Sequence, residues 1–504
     1  MRIFGFEIGR SRREDEAVSG PPARHRIAYG RRGFQAGITD RLTSKWTTAD
    51  ETVNMSLLRH LRPMRARSRD FARNNEYGRK FFSLVRTNVV GAAGFTLKVD
   101  CRLQNGEPDK ANSVAIAAAY KRFARRGAYD VTGRLSETQF DALAINMIAR
   151  DGEVLVRFVE GRGDHGLQLQ LLPGHLLDEE HNRDLDDGGR IRMGVEFDAW
   201  MKPRAYHLRV FEHSADMHGT ATRRYLRVDA AEILHLFVAE DIDQWRGVPW
   251  PYVGLRDARH LDQFDEAALV AANVGAAKMG FFQQKDPEAG PPIGGTDEDG
   301  AGYAEAPGDF VSEATPGTFD IVPDGYELKE YDPTYPNEVY DPFTKNVLRR
   351  LSTGLLVSYH GLSGDLSNVN FSSIRSGTLD EREMWKMLQA FYIESKELVF
   401  GRWLARAMVK DADLRRLPYS QFDRFNMPVY FGRRWDWVDP RADAMADKEA
   451  VALSTKSRAQ IIRERGRDPD EVWAELDAEA ERGMTAQPAA KDQGDPRPDP
   501  DPKD

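Results

Sequence analysis

Cysteine is nearly absent. Cys101 is the only one in 504 residues, which excludes an intrachain disulfide and a thiolate zinc site and points to a reducing compartment. Cys101 itself reads as a small buried apolar side chain in a strand. Long apolar runs are missing too: the longest uncharged stretch of small residues, Ala267 to Ala277, falls far below the roughly 20 apolar residues of a membrane span. Met1 to Glu7 has no sustained apolar core of the signal-peptide kind, so a chain neither secreted nor membrane-spanning is expected. No Gly-Lys dipeptide occurs, which excludes the phosphate-cradling G-x-x-x-x-G-K-[ST] loop and a nucleotide-driven motor with it. H-E-x-x-H and G-x-S-x-G are absent, and Asp297-Glu298-Asp299-Gly300 lacks the alternating ligands of a calcium loop. There is no internal repeat.

The chain is longer than one hydrophobic core can serve, so two to four structural regions are expected. With 41% hydrophobic and 30% charged residues, its composition is that of a soluble globular protein. The net charge of -9 hides an asymmetry: residues 1–86 hold 19 Lys and Arg against 9 Asp and Glu, leaving the remainder strongly acidic. Arg59, Arg62, Arg65, Arg67, Arg69 and Arg73 form either a solvated helix face or a contact for nucleic acid or an acidic partner.

Residues 1–45 show no periodicity and read as a mobile arm. From Thr48 to Val89 the stripe Leu57, Leu58, Leu61, Met64, Phe71 and Tyr77 predicts helix, broken or kinked at Pro63. A strand over Phe95–Leu103 and helices over Ser113–Arg126 and Glu137–Arg150 follow, the last with Ser136 as N-cap. Strand patterns then cover Glu153–Glu160, Leu167–Leu172, Ile191–Phe197, Ala205–Phe211 and Glu232–Val238, so residues 48–245 read as one α+β domain. Helical spacing returns over Pro251–Met279, roughly 43 Å at 1.5 Å per residue, with one nearly bulk-free face at Ala268, Ala271, Ala272 and Gly275. That face suits either a neighbouring helix or burial within the chain. Residues 286–342 break all periodicity and set 15 acidic residues against Lys329 alone; a loop of this length is functional or disordered, with Phe319–Val322 suggesting some strand. Helix resumes over Glu338–Ser358, stops at Tyr359–Asp365, and restarts near Asn370 for about forty residues with Trp385, Leu388, Tyr392, Val399 and Trp403 as its buried stripe. Two amphipathic helices follow Pro440, with Gly466 ending the first and Asp468-Pro469-Asp470-Glu471 opening the second. The segment from Gln487 is expected to be disordered.

For catalysis the strongest grouping is His175, Asp178, Glu180, His181 and Asp184, residue types that could bind a divalent metal for hydrolysis. They follow the strand exit Leu171-Leu172-Pro173-Gly174, where polar residues are also expected because loops are solvated. His235 and His360 read as satisfied structural histidines, and Arg162-Gly163-Asp164 as an ordinary turn. No catalytic residue, metal or cofactor is assigned.

Several segments in fixed order resemble the portal proteins of tailed bacteriophages, specifically the lambda-type family. They are Arg67 to Asn75 followed by Asn88-Val89-Val90-Gly91, then Asp241-Ile242-Asp243-Gln244-Trp245-Arg246-Gly247-Val248-Pro249, the stretch Gly361 to Arg375, and Trp437-Val438-Asp439-Pro440. The resemblance runs from about Leu61 to Arg482. It implies a ring of about twelve subunits with an α+β wing, a helical stem, an irregular or β clip and a helical crown. The assignment is arm 1–47, wing 48–250, first stem helix 251–280, clip 281–337, second stem helix 338–358, tunnel loop 359–370, wing helix and return 371–435, crown 436–482 and disordered tail 483–504. It further implies a non-enzymatic channel for double-stranded DNA at one capsid vertex, in the virion and, during assembly, the host cytoplasm. The implied partners are further copies of the chain, the terminase large subunit, major capsid and scaffolding proteins, a head-completion adaptor, and DNA bound without sequence preference; no membrane is involved. Gly361, Ser363, Gly364, Asp365, Ser367, Asn368 and Asn370 would line the tunnel, and Ala268, Ala271, Ala272 and Gly275 would meet a neighbouring stem. The alternatives are a phage metal-dependent nuclease or hydrolase built on the His175 cluster, and a monomeric DNA-binding protein using the Arg-rich N-terminal region.

Overall fold

The computed structural model describes residues 2–3, 6–7, 41, 44–45, 47–211, 221–276, 280–284, 326–330, 340–367, 371–435, 440–465, 467 and 469–482. The chain divides into two compact units, Met1–Glu51 and Thr52–Asp504. In the first, β1 (Arg2–Ile3) and β2 (Phe6–Glu7) pair antiparallel, Arg2 opposite Glu7. The remainder of the expected arm lies largely outside the described residues, as do most of 281–337 and all of 483–504.

The second unit opens with α1 (Val53–Asn74) and α2 (Glu76–Val89). The expected break at Pro63 does not occur: α1 runs through it and ends at Asn75. Pro63 lies on the exposed side of the helix, as does Arg59 one turn before it, where solvent lowers the cost of a proline inside a helix. Asn75 is extended, with φ -120°, and its side chain accepts the Gly78 N–H at 3.0 Å; it ends one helix and caps the next. A Cβ on Gly78 would stand 2.1 Å from the Phe71 carbonyl oxygen, so this fold-back requires glycine.

Next come β3 (Thr96–Val99), α3 (Lys110–Phe123) and α4 (Glu137–Asp151). Ser136 caps α4 as its sequence position indicates. Its hydroxyl accepts from Gln139 N at 3.5 Å while Gln139 Oε1 accepts from Ser136 N at 3.2 Å, a reciprocal capping box. β4 (Val154–Glu160) and β5 (Leu167–Pro173) lead into β6 (Arg183–Asp184), β7 (Arg190–Arg192), β8 (Val195–Phe197), β9 (Pro203–Phe211) and β10 (Ala221–Asp229), which form a five-stranded antiparallel meander. The single strand expected over Ile191–Phe197 is two. Met193 and Gly194 have φ 49° and 83° and join paired Arg192 and Val195, the positive-φ pair of a two-residue hairpin turn. β11 (Ile233–Leu236) returns to β4, giving a second sheet in the order β11-β4-β5.

α5 (Leu255–Ala276) is followed by β12 (Gly280–Gln284) and β13 (Tyr326–Glu330), which pair antiparallel, then α6 (Tyr340–Gly354) and α7 (Tyr359–Ser363). α8 (Phe371–Lys410) has the expected length of 40 residues. After α9 (Phe422–Phe425), β14 (Pro428–Phe431) pairs with β3. Three helices close the described chain, α10 (Pro440–Ala452), α11 (Arg458–Glu464) and α12 (Pro469–Glu481), where two were expected. Ser454 at φ 56° stops α10, and Ser457 caps α11 by accepting from Gln460 N at 3.0 Å. Gly466 and Asp468 lie outside the described residues.

The main core joins α2, α3, α4 and the β4/β5 sheet to α8. Trp385, Tyr392, Val399 and Trp403 are buried as the α8 stripe predicts, and Tyr120, Phe123, Phe400 and Trp403 form an aromatic cluster with ring separations of 4.9–5.9 Å. Lys396, buried on the same stripe, reaches Glu137 and Asp141 of α4 at 2.6 Å each. A smaller core lies between the two sheets around Leu155, Leu177, Phe197 and Tyr206. Cys101 is fully buried just beyond β3. Among the described residues, no helix is long and apolar enough to cross a membrane.

Candidate functional site

The residues singled out in the sequence gather at two places, the α5/α6 pair with the turn after it and a buried ionic junction at the start of β4. α5 and α6 run antiparallel. Tyr340 Oη donates to Asp265 Oδ1 at 2.8 Å near one end, and Arg350 pairs with Asp257 at 2.6 Å near the other. Phe264 stacks on Tyr340, and Ala258, Leu261, Leu348 and Leu351 fill the seam. Close packing begins at Gly254, where a Cβ would lie 2.7 Å from Leu351 Cδ1. Of the small-faced residues, Ala268 is buried within the chain, Ala271 and Ala272 are half-buried, and Leu269 and Val270 face outward. Gly275 lies on the same helix.

The break between α6 and α8 differs from the expected plain loop. Leu356, at φ 55°, ends the α6 region. Ser358 then caps the short α7 by accepting from Gly361 N at 3.2 Å, and Gly364 ends it at φ 73°. Asp365 holds the following turn: its carboxylate accepts from Tyr359 Oη at 2.9 Å, Ser367 N at 2.8 Å and Ser367 Oγ at 2.6 Å. These hydrogen bonds, chiefly from Ser367, hold its carboxyl down to about 2. Gly361, Ser363, Gly364, Asp365 and Ser367 are thus brought together, with His360 Nδ1 donating to the Asp365 carbonyl at 2.8 Å. Asn368 and Asn370 lie outside the described residues.

Glu153 forms the centre of the junction and is fully buried. Arg246 Nε donates to both its oxygens at 3.0 and 2.9 Å, Arg65 Nη2 donates to Oε1 at 2.9 Å, and His235 Nε2 and Gly247 N approach Oε2 at 3.0 and 3.1 Å. Despite its burial, this charge surrounds the Glu153 carboxyl so fully that it is held far below the usual range. Arg65 also bonds Glu179 at 2.7 Å, and Arg69 clamps Asp151 at 2.8 and 3.1 Å. The Arg series of α1 is therefore not one solvated or polyanion-binding face. Arg65 is buried in the junction and Arg69 half-buried, while Arg62, Arg67 and Arg73 are exposed. His235, which looked solitary in the sequence, is a satisfied member of this network. Backbones approach closely here: a Cβ on Gly247 would stand 2.0 Å from the Gly152 carbonyl oxygen, which accounts for glycine after Arg246.

The metal-binding alternative is not assembled. His175 Nδ1 lies 2.9 Å from the Arg69 guanidinium, and burial, followed by the charges of Arg69 and Arg65, pushes it down to about 4. Asp178 is taken by Arg209, Tyr225 Oη and Glu180 N. His181 stacks on Tyr225 at 4.2 Å, Asp184 pairs with Arg192, and Glu180 is exposed. Among the described residues, no three His, Cys, Asp or Glu side chains are placed to hold a metal ion. Arginine partners occupy Asp178 and Asp184, a competition that residue types alone do not reveal.

The family model described as phage portal protein, lambda family, matches residues 39–389. This chain belongs to that family. Among its portal relatives, the probable portal protein of Halomonas phage phiHAP-1 is 34% identical over 90% of this chain and 86% of the relative. Portal protein B of Escherichia phage lambda is 25% identical over 88% of each. Solved structures similar to the chain include the neck of an empty gene transfer agent particle, at 14% identity over 80% of this chain and 93% of that one, with a TM-score of 0.42. The portal-family match spans both the Glu153 junction and the α5–α7 region and ends within α8. Two of the portal-like motifs meet in space, since Arg69 belongs to the first and Arg246-Gly247 to the second, and both close on the Asp151–Glu153 turn.

Proposed function

We propose that the chain is a structural, non-enzymatic subunit that closes into a ring of about twelve copies at one capsid vertex and surrounds the passage for double-stranded DNA during packaging and ejection. In this reading residues 48–250 and 371–435 are the wing, 251–280 and 338–358 the stem, 281–337 the clip, 359–370 the tunnel loop and 436–482 the crown. Membership of the portal family over residues 39–389 carries the reading. The antiparallel α5/α6 pair and the Asp365-pinned turn after it support the assignment of stem and tunnel loop. Ala268, Ala271, Ala272 and Gly275 would lie toward a neighbouring stem. The clip would dock the terminase large subunit and later a head-completion adaptor, with capsid and scaffolding proteins around the ring.

The acidic balance suits the passage. DNA carries one charge per roughly 1.7 Å of axis, and a basic tube would hold it through many phosphate contacts. Residues 286–342 carry a single Lys against 15 acidic residues, so weak repulsion favours sliding. Negative-stain imaging and native mass spectrometry of the purified chain test this function: closed rings are expected, and a purely monomeric species at micromolar concentration would overturn it.

A further inference from the structure

Two exposed faces of opposite character remain on this fold. On α8, Met387, Leu398 and Val409 are exposed by 74, 59 and 60%. Eleven-residue steps keep them on one line, roughly 33 Å long, because eleven residues complete three helical turns to within about 20°. The same side carries exposed Asp380, Glu394 and Glu397 and points away from the stripe that holds Trp385, Tyr392 and Trp403 in the core. A 40-residue helix apolar on both sides needs a partner on both. The second face belongs to α1 and α2. Arg62, Arg67, Arg73, Arg79, Lys80 and Arg86 are exposed and have no ion-pair partner among the described residues, and Met55 and Leu58 are exposed beside them by 46 and 41%.

We infer that a second copy of this chain covers both faces, the acidic apolar side of α8 in one subunit meeting the basic apolar side of α1–α2 in the next. The inference rests on the ring reading above and names its contact. A ring needs two different complementary patches on each subunit, a heterologous contact, and these two are opposite in charge and share apolar residues. DNA phosphates would account for the arginines but leave Met55, Leu58 and the α8 line uncovered. α1 and α8 both pack on α4, through Arg65 and Arg69 near Asp151 and through Tyr392 and Lys396 near Asp141. Each turns its opposite side outward.

The test uses the full chain in two charge-reversed forms, Arg62→Glu with Arg73→Glu, and Glu394→Lys with Glu397→Lys, followed by native mass spectrometry at physiological ionic strength. Either form alone presents like charges at every contact, and its ring population should fall by about tenfold or more. Mixed in equal amounts, the two forms should recover rings in which they alternate, since each junction then pairs opposite charges; recovery also shows that both are folded. Wild-type ring yield from either form alone, or no recovery on mixing, would overturn the contact. Intact rings with lost DNA affinity in the arginine variant would overturn it too, assigning the basic face to DNA. Absence of rings from the unaltered chain would sink the ring reading itself and this contact with it.

Discussion

At the scale of single residues, the junction around Glu153 shows how burial and pairing trade off. Removing one partner of a buried ion pair leaves an uncompensated charge and costs about 3–5 kcal/mol. Arg246→Gln, at a fully buried position, should therefore lower the unfolding free energy by this order, measured as an earlier midpoint in chemical unfolding. His175 gives a pH dependence with a definite sign. Its folded value is lowered to about 4 from 6.5, so the unfolded chain takes up the proton first. The stability it contributes is complete above pH 6.5 and is lost as pH falls from 6.5 toward 4. His165 and His181 are shifted in the same direction by burial. Asp141, pushed up to about 6 by burial, acts oppositely between its unfolded value of 3.8 and 6. The comparison is thus between variants: the drop in melting temperature from pH 7 to pH 5 should be smaller in His175→Gln than in the unaltered chain, and an equal drop would remove His175 from the acid response.

Among the elements, those with clear local signals were readable in the sequence. α4 carries its cap in Ser136 and Gln139, α8 its buried stripe, and β4 and β5 their β-branched and aliphatic runs. Ser136→Ala should cost about 1 kcal/mol by leaving first-turn N–H groups without the cap, seen as a lower melting temperature with native circular dichroism. β10 gave no such signal, because Ala-Thr-Arg-Arg-Tyr-Leu-Arg-Val-Asp is polar and its pairing with β9 supplies the order. The break expected at Pro63 is missing for a related reason: the proline lies on the exposed side of α1, where water lowers its cost, while Asn75, with a side chain able to cap, ends the helix. α7 was hidden by Gly361 within it and Gly364 just after it, yet Ser358 and Gly364 are a sufficient start and stop for one short helix.

For the whole molecule, the proposed passage is tested at the turn after α7. Asp365→Lys should still assemble rings but slow DNA translocation at low salt, with the defect easing as salt screens the new attraction to phosphate. Asp365→Asn keeps an acceptor for Ser367 and Tyr359 without the charge, so it separates electrostatics from loosening of the turn. Unmodified rates for Asp365→Lys in a packaging assay with terminase and ATP would take this turn out of the DNA path. By itself the sequence determined the mixed helix and strand class, the main helices, the single cysteine and the missing Gly-Lys dipeptide, and the ordered motifs that resemble the portal family. All of these are written in local periodicity, composition or short-range order. Tertiary structure decided what the charged residues do. Arg65 and Arg246 stand 88 and 93 residues from Glu153 along the chain, and an ion pair has no period, so neither spacing nor residue type distinguishes a buried partner from a solvated side chain. The His175 group shows the same limit in reverse: its residues are neighbours in sequence, but arginines brought in from α1, β7 and β9 occupy the positions a metal would need.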